Sequence, residues 1–169
     1  GVDYLIDATT STAVTLTAQS DVTISETSLT IGGTATAPTN ATATTAAFDR
    51  DFGKVTIAGV ETINLTSSDA TTSVVSVVDE NKLEVVAADA KTINIDGAAD
   101  LILTTTAANL KTVDASDMTG ALTYTISSSV ANFALTSGSG ADDITISTSN
   151  NAQVKTGAGA DIITVQAGA

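Results

Sequence analysis

Hydrophobic and polar residues alternate one by one in short segments along the whole chain. Clear examples are VTI at residues 55–57, TINI at 92–95 and LTYTI at 122–126. A period of two, rich in β-branched residues, indicates β-strands with one buried face. No segment shows the apolar spacing of an amphipathic helix flanked by caps. The pattern therefore predicts an all-β protein.

The second half of the chain is built from similar pieces. Each contains a strand, a polar turn, a second strand and a Gly/Asp-rich turn, and the pieces begin at Leu83, Leu101, Ala121 and Asp143. A unit this short cannot bury its apolar face alone, but it can do so by stacking on its neighbours. We therefore expect an elongated, right-handed parallel β-solenoid with coils of about 18–22 residues. An antiparallel β-sandwich is the alternative.

Stacked coils would place recurrent aliphatic side chains inside the solenoid. One inner wall is predicted to contain Ile63, Leu65, Ile93, Ile95, Val113, Phe133, Leu135 and Val154. The opposite wall is predicted to contain Leu83, Val85, Ile102, Ile126, Ile144, Ile146 and Ile163.

The repeats divide the chain at about residue 50. Residues 51–169 are predicted to form the solenoid, with an irregular coil at 74–78. Residues 1–50 repeat less clearly and are interpreted as a divergent β region, either irregular coils or the end of a preceding β-domain, with a loop around Pro38. Because the sequence stops amid a repeat, we expect it to be a piece of a longer protein.

The composition narrows the classes of function. The net charge is −13, and 15 of the 19 acidic residues are aspartate, which argues against nucleic acid as a partner and favours binding of cations. The absence of histidine and cysteine excludes zinc hydrolysis, Ser-His-Asp triads and thiol catalysis within this chain, so we expect no enzyme. No apolar run approaches the roughly 18 residues of a membrane span.

One phrase occurs twice near the end of the chain, as SGSGADDIT at 137–145 and TGAGADIIT at 156–164. Its glycines permit backbone conformations that can direct successive carbonyl groups into one space. On adjacent coils, these carbonyls and the carboxylates of Asp142 and Asp161 would form a cage made only of oxygen. Ca²⁺ prefers such a site more than Mg²⁺ does. The simpler interpretation is an ordinary Gly-Asp turn that ends a strand.

Both copies resemble the RTX nonapeptide G-G-x-G-x-D-x-U-x, except that Ser137 and Thr156 replace its first glycine. In that family, calcium lies between the turns of successive coils. The resemblance implies that Asp142 and Asp161 are side-chain ligands and that the turn backbones supply carbonyl oxygens. The corresponding carbonyl residues are Ser137, Gly138, Ser139, Gly140, Thr156, Gly157, Ala158 and Gly159.

Two earlier turns contain acidic residues without the full motif. Asp96 and Asp100 belong to the first, and Asp114 and Asp117 to the second. If the turns stack, these four aspartates could bind a further cation. Alternatively, aspartate and glycine simply end the strands there.

Longer phrases, VETINLTSSDA at 60–70 and LKTVDASDMTGALTYT at 110–125, are similar to bacterial RTX-type surface-layer proteins. The resemblance implies a structural segment of a secreted, calcium-binding, self-assembling protein on the extracellular cell surface. Its expected partners are copies of itself in a lattice or filament, and outer-surface polysaccharide. The alternatives are a calcium-dependent adhesin arm, an ice-binding solenoid suggested by the Thr-x-Thr units, and the secretion-signal end of an enzyme or toxin.

Overall fold

The fold consists of β-strands that belong to two parallel sheets. The computed structural model describes residues 3–6, 14–17, 26–31, 50–67, 80–126, 131–147 and 151–166. Within these ranges the regular elements are fourteen strands, and no helix is present. Sheet A contains β1 (Asp3–Ile6), β3 (Glu26–Ile31), β5 (Thr62–Ser67), β7 (Thr92–Gly97), β9 (Thr112–Met118), β11 (Ala134–Thr136) and β13 (Gln153–Lys155). Sheet B contains β2 (Val14–Thr17), β4 (Arg50–Ala58), β6 (Glu80–Val86), β8 (Asp100–Thr106), β10 (Leu122–Ile126), β12 (Asp143–Ile146) and β14 (Ile162–Val165).

The chain alternates between the two sheets, and each strand pairs in parallel with the strand two elements further along. Two strands and two turns therefore make one coil, which confirms the predicted β-solenoid and rules out the antiparallel sandwich. Val113 pairs with Leu135, and Leu135 pairs with Val154, so these coils have the predicted length. The coil from Val55 to its partner Val85 is longer, with the additional residues between β5 and β6.

The inner wall of sheet A is a column of aliphatic side chains in register. Ile63, Ile93, Val113 and Leu135 follow one another along the stack, and each is almost fully buried. Alternate residues of β5 are only partly buried, as expected for a strand with one face inside. Burial of each aliphatic side chain contributes roughly 1.5–3 kcal/mol, so this column is a major source of stability.

The inner wall of sheet B confirms most of the predicted positions and corrects one. Leu83, Leu103 and Ile144 are buried and share a column with Tyr124. Ile102 was predicted to lie inside, which is wrong, because Leu101 and Leu103 take the inward positions and Ile102 alternates outward. In the apolar run of β8, the hydrophobic pattern does not distinguish one face from the other.

Tyr124 is the largest buried side chain of this wall and bridges two coils. Its hydroxyl lies 2.7 Å from the hydroxyl of Thr105 on the neighbouring strand, and its ring stacks on Phe133 with a centroid distance of 6.5 Å. Burial raises the pKa of Tyr124 to about 12, and the hydrogen bond with Thr105 opposes that rise. Sheet A and sheet B are therefore joined here by aromatic packing.

The apolar inner wall is less well covered at the last described coil. Ile163 continues the column of Ile144 and was predicted to be internal, but its side chain is 48% exposed. The described strands end with β13 and β14 at this edge of the two sheets, and Val154 on β13 is only partly buried. Ile163 thus has the predicted register without the predicted burial.

The strands β1, β2 and β3 of the first fifty residues pair within the same two sheets as the later strands. The predicted loop around Pro38 and the irregular coil at 74–78 lie outside the described residues. The division of the chain at residue 50 stays a prediction.

Candidate metal centre

The repeated Gly/Asp phrases lie along one side of the solenoid. They belong to the turns that lead from sheet A to sheet B, at residues 97–100, 118–121, 137–142 and 156–161. We call this side the acidic edge. The turns that return the chain from sheet B to sheet A form the opposite edge.

Glycines let successive turns of the acidic edge approach each other closely. A Cβ added at any of six glycines would lie 1.9–2.5 Å from a backbone atom of the preceding coil, which no side chain tolerates. These glycines form two columns along the stack, one through Ser67, Gly97, Met118, Gly138 and Gly157, the other through Ala99, Gly120, Gly140 and Gly159.

Carbonyl groups of each turn are directed towards the next turn. The carbonyl oxygen of Gly138 accepts a hydrogen bond from the N–H of Ala158 at 3.1 Å, and the carbonyl oxygens of Gly138 and Gly140 lie against Gly157 and Gly159. Both glycines of the last turn have positive φ, 74° and 125°, which allows this approach. Backbone oxygens and carboxylates therefore lie close together between the last two turns.

Asp142 and Asp161 occupy inward-facing positions at the start of their strands. Each lies two residues before an isoleucine of the inward column, the buried Ile144 or the half-exposed Ile163, and therefore shares that residue's side of the strand. The register also places them next to each other on adjacent coils. Two anionic side chains thus lie beside the apolar interior, about one strand spacing of roughly 4.8 Å apart along the stack.

Asp142 is a buried carboxylate with only half of its hydrogen-bonding capacity used. The side chain is 1% exposed, and its Oδ1 accepts a hydrogen bond from the N–H of Leu122 at 2.8 Å. Its Oδ2 is buried and has no hydrogen-bond partner. Asp161 Oδ1 accepts from the N–H of Asp142 at 3.1 Å. A buried, unpartnered carboxylate oxygen is costly, so this atom calls for a positively charged or donating group.

The space between the last two turns suits a hard cation. The point where a Cβ of Gly159 would stand is 2.0 Å from the carbonyl oxygen of Gly140 and 3.1 Å from Asp161 Oδ1. A methyl group there would therefore collide with the Gly140 oxygen, so the two turns are in direct contact at this point and bring their oxygens together. Backbone carbonyls and two carboxylates, the oxygen donors that calcium prefers, converge here, and the N–H groups of Ala158 and Asp142 donate to two of these oxygens. The residues present fit that ion.

The earlier turns differ from the last two at the motif position. In the earlier turns, the residues in register with Asp142 are Leu122 and, one coil before it, Leu101. Both leucines are buried. Asp100 lies one residue before Leu101, and its Oδ1 accepts from the N–H of Ala121 at 2.6 Å. In these earlier turns, apolar side chains therefore occupy the positions that hold carboxylates in the last two turns.

The structure separates the four remaining predicted ligands. Asp96, Asp114 and Asp117 are exposed around a surface depression of about 250 Å³ on the outer side of sheet A, whereas Asp100 lies at the acidic edge. Asn64 and Asn94 line the same depression, and their side-chain amides are hydrogen bonded to each other at 2.8 Å. Among the described residues, no group of three or more acidic side chains is placed to hold a metal ion. A second cation site stays a prediction.

The outward threonines form single columns. Thr125, Thr145 and Thr164 are in register on sheet B. The outward column beside them contains Thr123, Asp143 and Ile162, so threonine is not repeated along it. A flat ice-binding array of paired threonines, as the ice-binding alternative requires, is therefore not formed by these coils.

Comparisons with known proteins found no match for this chain. No family model matches it, and neither a curated protein nor a solved structure matches it. No helix within the described parts of the chain is long and apolar enough to cross a membrane.

Two features of the acidic edge were missed from the sequence. One is the inward position of Asp142 and Asp161, which could have been found by counting two residues back from the core isoleucines. The other is a hydrogen bond from the hydroxyl of Ser137 to the carbonyl oxygen of Thr156 at 3.0 Å. Only the pairing of the two turns reveals that contact.

Proposed function

We propose that this chain is a structural segment of a secreted bacterial surface-layer protein that binds calcium between its turns and assembles with copies of itself. The observation that carries the calcium part is the buried Oδ2 of Asp142, which has no hydrogen-bond partner. The surface-layer part rests on the resemblance of the repeats to RTX-type surface-layer proteins and on the net charge of −13.

The last two turns would hold the ion. Asp142 and Asp161 would supply carboxylate oxygens, and residues 137–140 and 156–159 would supply backbone carbonyls. Bound calcium would offset the negative charge beside the apolar core and link neighbouring coils, because the donors belong to two turns that meet only in the folded stack. A cell-surface protein built in this way would have its full stability only in a medium that contains calcium.

The test is the thermal stability of the chain in excess chelator and in increasing free calcium. At a calcium concentration of about 100 times Kd, linkage predicts roughly 2.7 kcal/mol of added stability. Magnesium at equal concentration should add less, because it demands near-octahedral geometry and releases its water reluctantly. A melting temperature that does not respond to calcium would contradict the calcium part.

Asp142→Asn separates the role of the charge from that of the hydrogen bond. Asparagine keeps an acceptor for the N–H of Leu122 but removes the buried charge, so we expect the variant to melt at or above the wild-type temperature in chelator and to lose the rise with calcium. Asp143→Asn is the matched control, since Asp143 is the exposed neighbour and should leave the calcium response unchanged. A normal calcium response in Asp142→Asn would show that this carboxylate is not a ligand.

Self-assembly is tested on the same preparations by sedimentation and negative-stain electron microscopy. We expect sheets or filaments with calcium and small species in chelator. A chain that binds calcium but remains monomeric over a wide concentration range would leave the metal site in place and contradict the assembly part.

A further inference from the structure

Ser137 replaces the first glycine of the repeat and makes a contact that glycine cannot make. Its side chain is buried, with 2% of its surface exposed. The hydroxyl donates to the carbonyl oxygen of Thr156 at 3.0 Å, and the backbone N–H donates to the carbonyl oxygen of Lys155 at 2.8 Å. Thr156 occupies the corresponding position of the next turn, so the hydroxyl joins equivalent points of the two turns that form the candidate metal centre.

The two turns are thereby tied together at three places without an ion. The Ser137 hydroxyl acts at the beginning of the turn, the hydrogen bond from Ala158 to Gly138 in the middle, and the hydrogen bond from Asp142 N–H to Asp161 at the end. The first of these fixes the direction of a carbonyl group in the predicted ligand set, because the Thr156 oxygen must face the preceding turn to accept the hydroxyl proton.

We propose that Ser137 is a positioning residue of the calcium site: its hydroxyl holds the Thr156 carbonyl and the 156–161 turn in the binding geometry before the ion arrives. This inference rests on the proposed calcium function. A site arranged in advance loses less conformational freedom on binding and therefore binds more tightly. Ser137 thus departs from the glycine of the repeat but supplies a hydroxyl group that positions the next turn.

The chain offers a matched control on the opposite edge. The hydroxyl of Ser147 donates to the carbonyl oxygen of Ile126 on the neighbouring coil at 2.8 Å, which is the same type of hydrogen bond remote from the acidic edge. Removing the Ser137 hydroxyl should lower stability in chelator more than removing the Ser147 hydroxyl, because Ser137 is buried while Ser147 is exposed and its acceptor also binds the Ser147 N–H. Only the loss of the Ser137 hydroxyl should alter the affinity for calcium.

The experiment measures calcium Kd by isothermal titration calorimetry and the melting temperature in chelator for the full 169-residue chain and its variants. A hydrogen bond of ordinary net strength corresponds to a roughly 2- to 10-fold weaker Kd in Ser137→Ala. Ser137→Thr keeps the hydroxyl and should remain within about twofold of wild type, and Ser147→Ala should bind calcium as wild type does.

Wild-type calcium affinity in Ser137→Ala, together with a loss of stability in chelator, would overturn the proposal and leave Ser137 a purely structural residue. If Ser137→Ala does not fold, Ser137→Gly restores the residue of the repeat and allows the same comparison. A wild-type chain that binds no calcium would instead refute the proposed function itself, and the role of Ser137 with it.

Discussion

The close contact between successive turns can be tested by two glycine-to-alanine changes that perturb the chain in different ways. Gly138 has no positive φ, but a Cβ there would lie 1.9 Å from the carbonyl oxygen of Met118. Gly59, on the opposite edge, has a φ of 72° and nothing within 4 Å of its Cβ position. Gly138→Ala therefore introduces a steric overlap without backbone strain, and Gly59→Ala introduces backbone strain without overlap.

The expected costs differ because only Gly138→Ala produces an overlap, and that overlap is with rigid backbone. In Gly138→Ala the two turns must separate, which adds an overpacking cost of about 1–3 kcal/mol. Separation also weakens the hydrogen bond from Ser139 N–H to the Met118 carbonyl oxygen, now 3.0 Å, at roughly 1 kcal/mol. In Gly59→Ala the cost is left-handed strain of about 1–2 kcal/mol. The reduced entropy of the unfolded chain offsets about 0.4–1 kcal/mol in both variants and does not affect their difference. Gly138→Ala should therefore be the more destabilising change by roughly 2 kcal/mol.

The assay is equilibrium unfolding in urea followed by circular dichroism, performed in chelator so that calcium does not contribute. Free energies of unfolding of both variants are compared with wild type at equal denaturant dependence. Equal destabilisation of the two variants, or a larger effect at Gly59, would refute the inference that the turns are in contact through this glycine.

Two further predictions concern charges in the stack. The raised pKa of Tyr124, about 12, means that the folded protein keeps a phenol proton that the unfolded chain loses above pH 10, so stability should fall between pH 10 and 12. Relative to Tyr124→Phe, wild type should lose roughly 2–3 kcal/mol over that interval in urea unfolding, and parallel pH profiles would contradict the burial of the hydroxyl. If Asp142 and Asp161 share one ion, Asp142→Ala and Asp161→Ala should each remove most of the calcium-dependent rise in melting temperature, and the double variant should add little. Additive losses would indicate two independent sites.

Much of the fold follows from alternation of hydrophobic residues, and the one misplaced core residue shows the limit of that pattern. Ile63, Ile93 and Val113 each stand between polar residues, so their inward direction was predictable. In the Leu-Ile-Leu run of β8 both faces are apolar, and only pairing with Leu83 and Tyr124 decides that Leu103 points inward. Local sequence cannot supply this information because it depends on a strand from another coil.

The candidate site was predictable in composition but not in detail. The Gly-x-Gly-Ala-Asp phrase identified the turns and their oxygen donors, since those properties belong to residues within one repeat. The buried state of Asp142 and the contact of Ser137 with Thr156 depend on how one turn lies on the next. For the same reason the sequence groups Asp100 with Asp96, Asp114 and Asp117, whereas the structure places those three on the outer side of sheet A and Asp100 at the acidic edge.

The parallel stacking of coils also determines how the chain would respond to mechanical force. Hydrogen bonds between strands run along the axis of the stack, so tension on the two ends would act on the outermost coil before any other. Each detached coil of the later part, such as that between Leu135 and Val154, would release roughly 60–80 Å of extended chain. The segment would therefore lengthen in steps of nearly equal size and absorb a load gradually, with each coil remaining intact until its neighbour has been pulled away.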